Sequence, residues 1–367
     1  SHTERLLQWN QIQQGTADIV VGTRSAVFAP LERIGLIILD EEQEHTYHSE
    51  NAPRFLAHDI AKQRAMKHKA LFLAASATPS IESYYLAKQG RYHLAEMTQR
   101  YNQMPLPKVE MVDMRKELEQ GNASGISQRL EQKLREHLSR GEQAILLLNR
   151  RGYKTVGMCT ACGEVLKCPS CSVPMVYHKA QDCLLCHYCG KHISPVPAQC
   201  PKCGERVKYT GFGTQRVEEE LAEKFPAARI LRMDMDTTRK KNAHEEMLDA
   251  FARGEYDIML GTQMVAKGLD FERVTLVGVL GIDQMLFSQG YKAFENVFSL
   301  VTQVVGRGGR SDRPGYAMIQ TVEPNHPVLQ MAALQDYHAF YESEIAFRKL
   351  NLYPPFCSIC MIGFSGK

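Results

Sequence analysis

The sequence predicts an α/β protein with two parallel sheets and a small cysteine-rich module inserted into the second. Short apolar runs alternate with longer amphipathic segments along most of the 367 residues, and this alternation is typical of parallel strands covered by helices. Nine of the eleven cysteines fall between residues 159 and 203, inside the second series of strands and helices. With 44% hydrophobic residues, a chain of this length can bury two or three cores, since domains usually contain about 100–200 residues.

The first α/β series extends from Ala17 to Tyr85. It contains three apolar runs predicted to be strands, a helical pattern between the second and third, and a helix after Pro79; the runs and the helical pattern are DIVVG, LIILD, RFLAHDIAKQRAMK and ALFLAAS. A looser stretch with Pro105, Pro107 and Gly121 follows. Because such residues interrupt helices and strands, this stretch predicts the linker between the two series.

The second series begins with a helix over 127–140, for which Ser127 is the predicted N-cap. The cysteine-rich segment follows the next strand; we expect strands at 144–148, 229–233, 257–260 and 275–280 and helices at 214–224 and 240–253. Apolar residues at helical spacing predict one amphipathic helix over 327–350. The segment after it, LNLYPPFCSICMIGF, is interpreted as the opening strand of a further domain.

Composition sets broad limits on function. A formal charge of +3 neither requires nor excludes a polyanionic partner. No apolar run approaches the roughly 18 residues of a membrane span, and the first residues have no secretory signal pattern. These observations argue against a membrane or exported protein and predict a cytoplasmic one.

Four Cys-x₂-Cys pairs predict two structural zinc sites: Cys159/Cys162, Cys168/Cys171, Cys186/Cys189 and Cys200/Cys203. Two thiolates separated by two residues can bind one tetrahedral ion from a tight turn, and two such pairs complete a four-sulfur site. A glycine follows three of the pairs, where a positive φ lets backbone N–H groups point at sulfur. Cys183 also has this spacing to Cys186, but Gly190 follows Cys189, so Cys183 is the predicted spare. The alternative is a set of buried or redox cysteines, and spacing alone allows three combinations of the four pairs.

Cys357 and Cys360 form a fifth pair with this spacing. They alternate on an apolar run, which favours core packing over metal binding.

The run LIILD is followed by Glu41, which places Asp40 and Glu41 at the carboxyl end of a predicted parallel strand. Paired carboxylates at that edge are suited to Mg²⁺ and to a water that attacks a phosphate. The pattern G-x-x-x-x-G-K-[ST], which cradles nucleotide phosphates, occurs nowhere in the 367 residues.

Four further motifs are weak one by one. SATPS at 76–80 and GTRSA at 22–26 each follow an apolar strand; the first is equally consistent with an ordinary helix cap, and Arg24 in the second could bind a phosphodiester backbone. GTQMVAKG at 261–268 offers Thr262 and Lys267 to a phosphate. QVVGRGGR at 303–310 offers arginines of the kind that neutralise a transferred γ-phosphoryl group.

Taken in order, these motifs resemble those of the superfamily 2 helicases. GTRSA, DEEQ, SATP, the strand with NRRGY at 145–153, GTQMVAKGLDF and QVVGRGGR follow the order of that superfamily's motifs from Ib to VI. The cysteine-rich segment after LLLNRRGY, followed by GFGTQRVEEEL and RMDMDTT, is similar to one family in it, the bacterial primosomal replication-restart DNA helicases. The resemblance covers essentially the whole chain.

The resemblance implies two RecA-like parallel-sheet helicase lobes, the first incomplete, with an inserted small zinc-binding module. The implied domains are the remainder of the first lobe at 1–115, the start of the second lobe at 116–156, the zinc-binding insertion with two Cys₄ sites at 157–204, the rest of the second lobe at 205–325, and the helix and first strand of a truncated C-terminal domain at 326–367. The phosphate loop and an N-terminal DNA-binding region are expected before Ser1.

It also implies residue roles. Asp40 would hold Mg²⁺, and Glu41 would orient or activate the attacking water. Gln303, Arg307 and Arg310 would face the γ-phosphate across the cleft between the lobes, with Arg310 the first choice for the arginine finger and Arg307 the second. The implied nucleotide contacts are Asp40, Glu41, Gly268, Asp270, Arg307 and Arg310, and the implied DNA contacts are Arg24, Tyr47, Arg54, Thr262 and Lys267. The family's nested zinc arrangement would pair Cys159/Cys162 with Cys200/Cys203 and Cys168/Cys171 with Cys186/Cys189.

One residue and two segments affect how many of the family's residue roles can be assigned to this chain. The family usually has His where this chain has Gln43, and an amide can form hydrogen bonds but cannot become a cation. The segment 44–55 matches a DNA-sensing loop rich in aromatic residues, whose rings could stack on unpaired bases; for Phe55, the first core residue of the next helix is an equal alternative. GYKAFENV at 290–297 departs from the family's acidic-aromatic-Arg pattern.

The function implied is an ATP-dependent 3′-to-5′ DNA helicase or translocase of the replication-restart primosome, acting at stalled or abandoned forks. Its cofactors would be two structural Zn²⁺ ions, ATP and Mg²⁺; its partners would be single-stranded and forked DNA, other primosome proteins and single-stranded-DNA-binding protein. Two alternatives stay open: a translocase on duplex nucleic acid that does not unwind it, and a zinc-ribbon nucleic-acid or protein-binding module on a non-hydrolysing helicase scaffold. The 367-residue chain alone is expected to hydrolyse no ATP, because no loop or lysine is present to hold the β- and γ-phosphates.

Overall fold

The structure is a computed structural model, and it describes residues 2–49, 52–97, 106–122, 124–148, 155–159, 161–162, 164–170, 174–178, 182–186, 189–210, 214–233, 243–262, 271–288, 290–307 and 315–360. The chain divides into two compact units. The smaller unit contains Ser1–Glu96 together with the chain from Tyr341 onward, and the larger unit contains Met97–Phe340. Within the described ranges, no helix is long and apolar enough to cross a membrane.

The smaller unit is built around two parallel strands and their helices. Its elements are α1 (His2–Gln13), a 3₁₀ turn (Arg24–Phe28), β1 (Leu36–Asp40), a second 3₁₀ turn (His45–Tyr47), α2 (Ala57–His68), β2 (Leu71–Ala75) and α3 (Ile81–Lys88). Asp40 pairs in register with Ala75, so both strands end at the same edge. Small residues on α2, Ala57 and Ala61, are fully buried against Leu39 and Val27.

The predicted strand DIVVG does not form. Its residues have no ladder partner among those that the structure describes, and Ile19 and Val21 are 82% and 93% exposed. The β-branched residues explain the prediction, but a strand also needs a neighbour that accepts its hydrogen bonds and a surface that covers its side chains.

The larger unit contains a six-stranded parallel sheet with the order β10-β11-β4-β12-β13-β3. Its strands are β3 (Lys108–Asp113), β4 (Gln143–Leu148), β10 (Ile230–Met233), β11 (Ile258–Gly261), β12 (Val274–Leu280) and β13 (Tyr316–Thr321). Its helices are α4 (Met114–Glu119), α5 (Gln128–Ser139), α6 (Thr214–Lys224), α7 (Ala243–Ala252), α8 (Asp283–Leu286), α9 (Ala293–Val305), α10 (Pro327–Ala333) and the first residues of α11 (Tyr337–Leu350). The predicted N-cap is confirmed, since Ser127 Oγ accepts a hydrogen bond from the Leu130 amide at 3.0 Å.

The buried strands form the core of this unit. Every residue of β4, β11 and β12 is buried, as expected for parallel strands covered on both faces. Leu130 and Leu134 on α5 and Val217 and Leu221 on α6 pack against them.

The predicted linker is partly a strand of this sheet. Residues 108–113 pair in parallel with β13 from Lys108–Tyr316 to Asp113–Thr321. The structure therefore divides the chain at Glu96/Met97, whereas the sequence placed the end of the first lobe at residue 115. Pro107 directly precedes the strand, and a short β-run next to a proline resembles a loop when its pairing partner is about 200 residues away.

The cysteine-rich module is a five-stranded antiparallel sheet with the order β8-β7-β6-β5-β9. Its strands are β5 (Thr155–Cys159), β6 (Val176–His178), β7 (Cys183–Leu185), β8 (His192–Ile193) and β9 (Val207–Thr210). It has its own small core, in which Met175 and Leu184 pack against the cysteines. The segment between β4 and α6 therefore has a sheet and a hydrophobic core of its own.

Two predictions near the C-terminus are wrong. The expected single helix over 327–350 is two helices, α10 and α11, separated by a turn in which Gln335 has a φ of 53°. Cys357 and Cys360 are exposed and lie outside any strand, so they are not core residues, and Cys357 Sγ donates to the Leu352 carbonyl at 2.6 Å. The residues from Met361 on lie outside the described part of the chain.

Candidate functional site

The two predicted catalytic carboxylates lie at the carboxyl end of β1. Asp40 is the last residue of the strand and is exposed, and Glu41 follows with a φ of 49°. The Glu41 amide donates to Asp40 Oδ1 at 3.0 Å. This tight turn presents both carboxylates at the strand end, the position at which α/β sheets bind ligands, and the left-handed backbone of Glu41 is of the kind retained at functional sites.

Gln43 joins this turn to the SATPS motif. Its Nε2 donates to Glu41 Oε2 at 2.8 Å, and its Oε1 accepts from Ser76 Oγ at 2.5 Å. Ser76 Oγ also accepts from the Thr78 amide at 2.9 Å. The residue that departs from the family pattern is therefore the link between the Glu41 carboxylate and the loop after β2.

Glu42 anchors the turn through hydrogen bonds of its buried carboxylate, a role that the sequence did not reveal. It is 3% exposed, and its carboxylate accepts from the Ser80 amide at 2.6 Å, from Ser83 Oγ at 3.0 Å and from His58 Nε2 at 3.1 Å. Burial raises the pKa of Glu42, but these hydrogen bonds outweigh burial and hold the pKa below its ordinary value. One buried carboxylate thus connects β1, α2 and the start of α3.

The following loop is attached to the carboxylate turn and to the GTRSA motif. Tyr47 donates its hydroxyl to the Asp40 carbonyl at 2.7 Å, and Arg24 Nη1 donates to the carbonyls of Thr46 and His48, each at 3.0 Å. Burial, and then the charge of Asp40, raise the pKa of the Tyr47 phenol. Of the predicted DNA residues, Tyr47 therefore contacts Asp40, and Arg24 binds the loop that contains Tyr47.

The other two candidates of this loop divide between surface and core. Arg54 is exposed. The Phe55 ring packs edge-on against Phe28 with centroids 4.9 Å apart and belongs to the core around Leu39. Phe55 is therefore a core residue, as the alternative interpretation of the sequence expected.

Four cysteines of the module converge on one point. The sulfurs of Cys159, Cys162, Cys200 and Cys203 all lie within 4.8 Å of one another, with Cys159–Cys203 at 3.4 Å and Cys162–Cys200 at 3.7 Å. Four thiolates around a tetrahedral zinc, with bonds of about 2.3 Å, have sulfurs about 3.8 Å apart. The donor set and spacing fit zinc, and this is the combination of pairs that the family resemblance implied.

A second group contains Cys168, Cys186 and Cys189, with Cys168 and Cys189 sulfurs 3.7 Å apart. Its fourth predicted ligand, Cys171, lies outside the described residues. Cys183 is buried on β7 and joins neither group. Three thiolates supply three of the four ligands of a tetrahedral zinc site.

Backbone hydrogen bonds favour the thiolate form of Cys159. The amides of Cys162 and Ala161 donate to Cys159 Sγ at 3.5 and 3.4 Å, and with the Cys162 amide as the largest influence the pKa of Cys159 falls to about 6. At Cys203 the Glu205 amide lowers the pKa, but the sulfurs of Cys159 and Cys162 outweigh it and raise the pKa to about 12. The glycines that follow two of the pairs, Gly190 and Gly204, have φ values of 75° and 78°, as predicted. Such turns direct N–H groups towards sulfur.

The predicted residues of the larger unit are only partly described. Thr262 follows β11, and its amide donates to the Met233 carbonyl at 3.4 Å, so it lies where β10 and β11 end. Gln303 is on α9, and Arg307 follows that helix; both are half-buried. Lys267, Gly268, Asp270 and Arg310 lie outside the described residues.

The chain is similar in sequence to known protein families and proteins. A family model described as the PriA DNA helicase Cys-rich region (CRR) domain matches residues 168–193, and one for the helicase conserved C-terminal domain matches residues 202–312. The chain is 47% identical over 363 residues to the replication restart protein PriA of Bacillus subtilis, covering 99% of this chain and 45% of that protein. The PriA protein of Synechocystis is 42% identical over 372 residues, again covering 99% of this chain and 45% of that protein.

The chain thus spans about half the length of the curated relatives it matches. Among solved structures, RecG bound to a three-way DNA junction has 15% sequence identity and a TM-score of 0.46, covering 94% of this chain and 34% of that one.

Proposed function

Because this chain belongs to the PriA family of replication restart proteins, we propose that it supplies motor elements and the zinc-binding module of an ATP-dependent DNA helicase. The observation that carries the proposal is the junction at the end of β1, where Gln43 connects the exposed Asp40–Glu41 turn to Ser76. A turn of carboxylates tied to the loop after the next parallel strand is suited to couple a nucleotide to movement of that loop. Action at stalled forks and 3′-to-5′ polarity belong to the same proposal.

Asp40 is proposed to hold Mg²⁺, and its exposed carboxylate at a strand end fits a hard cation that prefers oxygen ligands. The ion would neutralise charge on the nucleotide phosphates. Glu41 would orient the attacking water, with its carboxylate held by the Gln43 amide. Arg307 and Arg310 are proposed to neutralise charge that develops on the γ-phosphoryl group, and Gln303 to assist them.

DNA is the proposed polyanionic partner. Arg24, Arg54, Thr262 and Lys267 are assigned to the phosphodiester backbone. Tyr47 is proposed to couple DNA binding to the nucleotide site, because its hydroxyl binds the Asp40 carbonyl and its loop binds Arg24. A change in the position of Arg24 on DNA would therefore reach the magnesium ligand through two hydrogen bonds.

The zinc module is proposed to hold two Zn²⁺ ions, Cys159/Cys162 with Cys200/Cys203 and Cys168/Cys171 with Cys186/Cys189. The proposed location, the bacterial cytoplasm, and the proposed partners, primosome proteins and single-stranded-DNA-binding protein, follow from replication restart.

The first test measures ATP hydrolysis with and without single-stranded DNA, on the full-length gene product and on the 367-residue chain side by side. Glu41→Gln in the full-length protein should lower DNA-stimulated kcat about 100-fold or more, as expected when a residue that activates water is removed. The matched control is Glu32→Gln, a change at an exposed carboxylate, which should leave kcat within twofold. We expect no turnover from the 367-residue chain.

The rival, a binding module on a non-hydrolysing scaffold, draws support from the lack of a G-x-x-x-x-G-K-[ST] pattern in the 367 residues. It predicts no DNA-stimulated turnover in the full-length protein either. Strand displacement from substrates with a 3′ or a 5′ tail then separates a helicase from a duplex translocase and reports polarity. Displacement of neither substrate by an active ATPase would contradict the helicase assignment.

A further inference from the structure

The turn between α10 and α11 has a glutamine where glycine is the usual residue. The Gln335 amide donates to the Ala332 carbonyl at 3.1 Å, and the Asp336 amide donates to the Met331 carbonyl at 2.9 Å. This pair of bonds defines a helix end in which the residue at the position of Gln335 is left-handed, most often Gly. Gln335 has a φ of 53°. A residue with a side chain is strained in this left-handed conformation, whereas glycine would adopt it without strain.

The Gln335 side chain points to the start of the arginine motif. Its Nε2 lies 3.9 Å from where a Cβ on Gly306 would stand. Gly306 caps α9 and precedes Arg307; its φ of −62° is open to any residue, so backbone conformation does not require glycine there. The turn is held on α9 by aromatic packing, with the rings of Phe298 and Phe340 stacked at 4.3 Å.

Two buried polar side-chain atoms, one on this turn and one on the last turn of α9, have no partner within the described part of the chain. One is Gln335 Nε2, and the other is Thr302 Oγ1, on a residue that is 8% exposed. They are complementary, because an amide N–H donates and a hydroxyl oxygen accepts. A buried unpaired polar group is unfavourable. Gln335 Nε2 lies near Gly306, and Thr302 is one helical turn before Gly306 on α9, so the two groups mark a place where a hydrogen bond can form in another state.

We propose that Gln335 is a positioning residue for Arg307: its amide pairs with Thr302 Oγ1 when Arg307 binds the nucleotide phosphates. This hydrogen bond would join the turn at Gln335 to the last turn of α9 and so restrict the backbone of Gly306, the residue that precedes Arg307. This role rests on the proposed ATP hydrolysis. It does not involve contact between Gln335 and the nucleotide.

The test uses Gln335→Gly, Thr302→Val and the double variant in the full-length protein. Each single change should lower DNA-stimulated kcat about fivefold, the effect of one neutral hydrogen bond lost from the transition state, with KM for ATP within twofold. The double variant should be no slower than either single one, because both remove the same bond. The melting temperatures should equal or exceed that of the wild type, since glycine relieves the left-handed backbone and valine removes an unpaired hydroxyl.

Lys69→Gly is the matched control, because Lys69 caps α2 with a φ of 54° and lies outside the proposed machinery. It should raise stability as Gln335→Gly does and leave kcat unchanged. Wild-type kcat in Gln335→Gly or Thr302→Val, or additive losses in the double variant, would overturn the positioning role while leaving the proposed function standing. Absence of DNA-stimulated turnover in the wild type would overturn both.

Discussion

At the scale of single residues, the Asp40–Glu41 turn depends on the two residues that follow it, since Gln43 binds the Glu41 carboxylate and Glu42 binds the start of α3. An apolar run that ends in two carboxylates can be recognised from one sequence, since strand and motif are contiguous. Glu42, the next acid in the sequence, is buried and binds Ser80, Ser83 and His58. Those partners lie 16 to 41 positions away, and no local pattern reveals such contacts.

Gln43 gives the sharpest prediction at this scale. Removal of its amide by Gln43→Ala frees the Glu41 carboxylate from a hydrogen bond of 2.8 Å. Hydrogen bonds to charged groups contribute about 1.5–3 kcal/mol, so we expect kcat for DNA-stimulated ATP hydrolysis in the full-length protein to fall about tenfold or more. Gln63→Ala, a change at an exposed position on α2, serves as the control. If Gln43→Ala and Gln63→Ala hydrolyse ATP equally fast, the amide does not position Glu41.

At the scale of elements, predictions from periodicity succeeded where the apolar residues of an element are buried in the core of the larger unit. Helix α6 has the predicted bounds, and β4 and β12 differ from theirs by one residue at the first position. The helix over 327–350 failed because apolar spacing continues through the turn at Gln335, so only the backbone reversal separates α10 from α11. The strand expected at DIVVG does not form, because no described segment pairs with it.

The cysteine module allows an element-scale test by metal analysis. We expect about two zinc ions per chain, since eight thiolates complete two four-sulfur sites. Cys203→Ser should remove one ion and Cys168→Ser the other, whereas Cys183→Ala should keep both, because Cys183 belongs to neither sulfur group. Loss of both ions from Cys203→Ser alone, or one ion in the wild type, would show that the two groups are not independent sites.

At the scale of the whole molecule, the predicted domain bounds stay a prediction, and the two compact units of the structure divide the chain differently at two boundaries. The strand at 108–113 belongs to the larger unit, and the chain from Tyr341 on belongs to the smaller one. Both are contacts between segments distant in sequence: β3 pairs with β13, and the Tyr341 ring packs on Tyr84 at 4.6 Å. One sequence shows which segments are apolar, but not which of several apolar surfaces each segment covers.

Arg348 tests the second of these boundaries. It is fully buried, and its guanidinium binds Glu344 at 2.9 Å, Glu82 on α3 at 3.3 Å and the Pro354 carbonyl at 3.3 Å. Removing one partner of a buried ion pair leaves an uncompensated charge, so Arg348→Ala should lower the free energy of unfolding of the smaller unit by about 3 kcal/mol. Lys349→Ala, one residue further along the same helix and exposed, should change it by less than about 0.5 kcal/mol.

Hydrogen exchange in the 367-residue chain can report the two units separately. In Arg348→Ala, amides of α3 should lose protection while amides of β4 keep theirs, because α3 contacts Arg348 through Glu82 and β4 lies in the core of the larger unit. Equal loss in both elements would mean that the units unfold together. Loss in β4 alone would place the C-terminal helix with the larger unit and contradict the division at Tyr341.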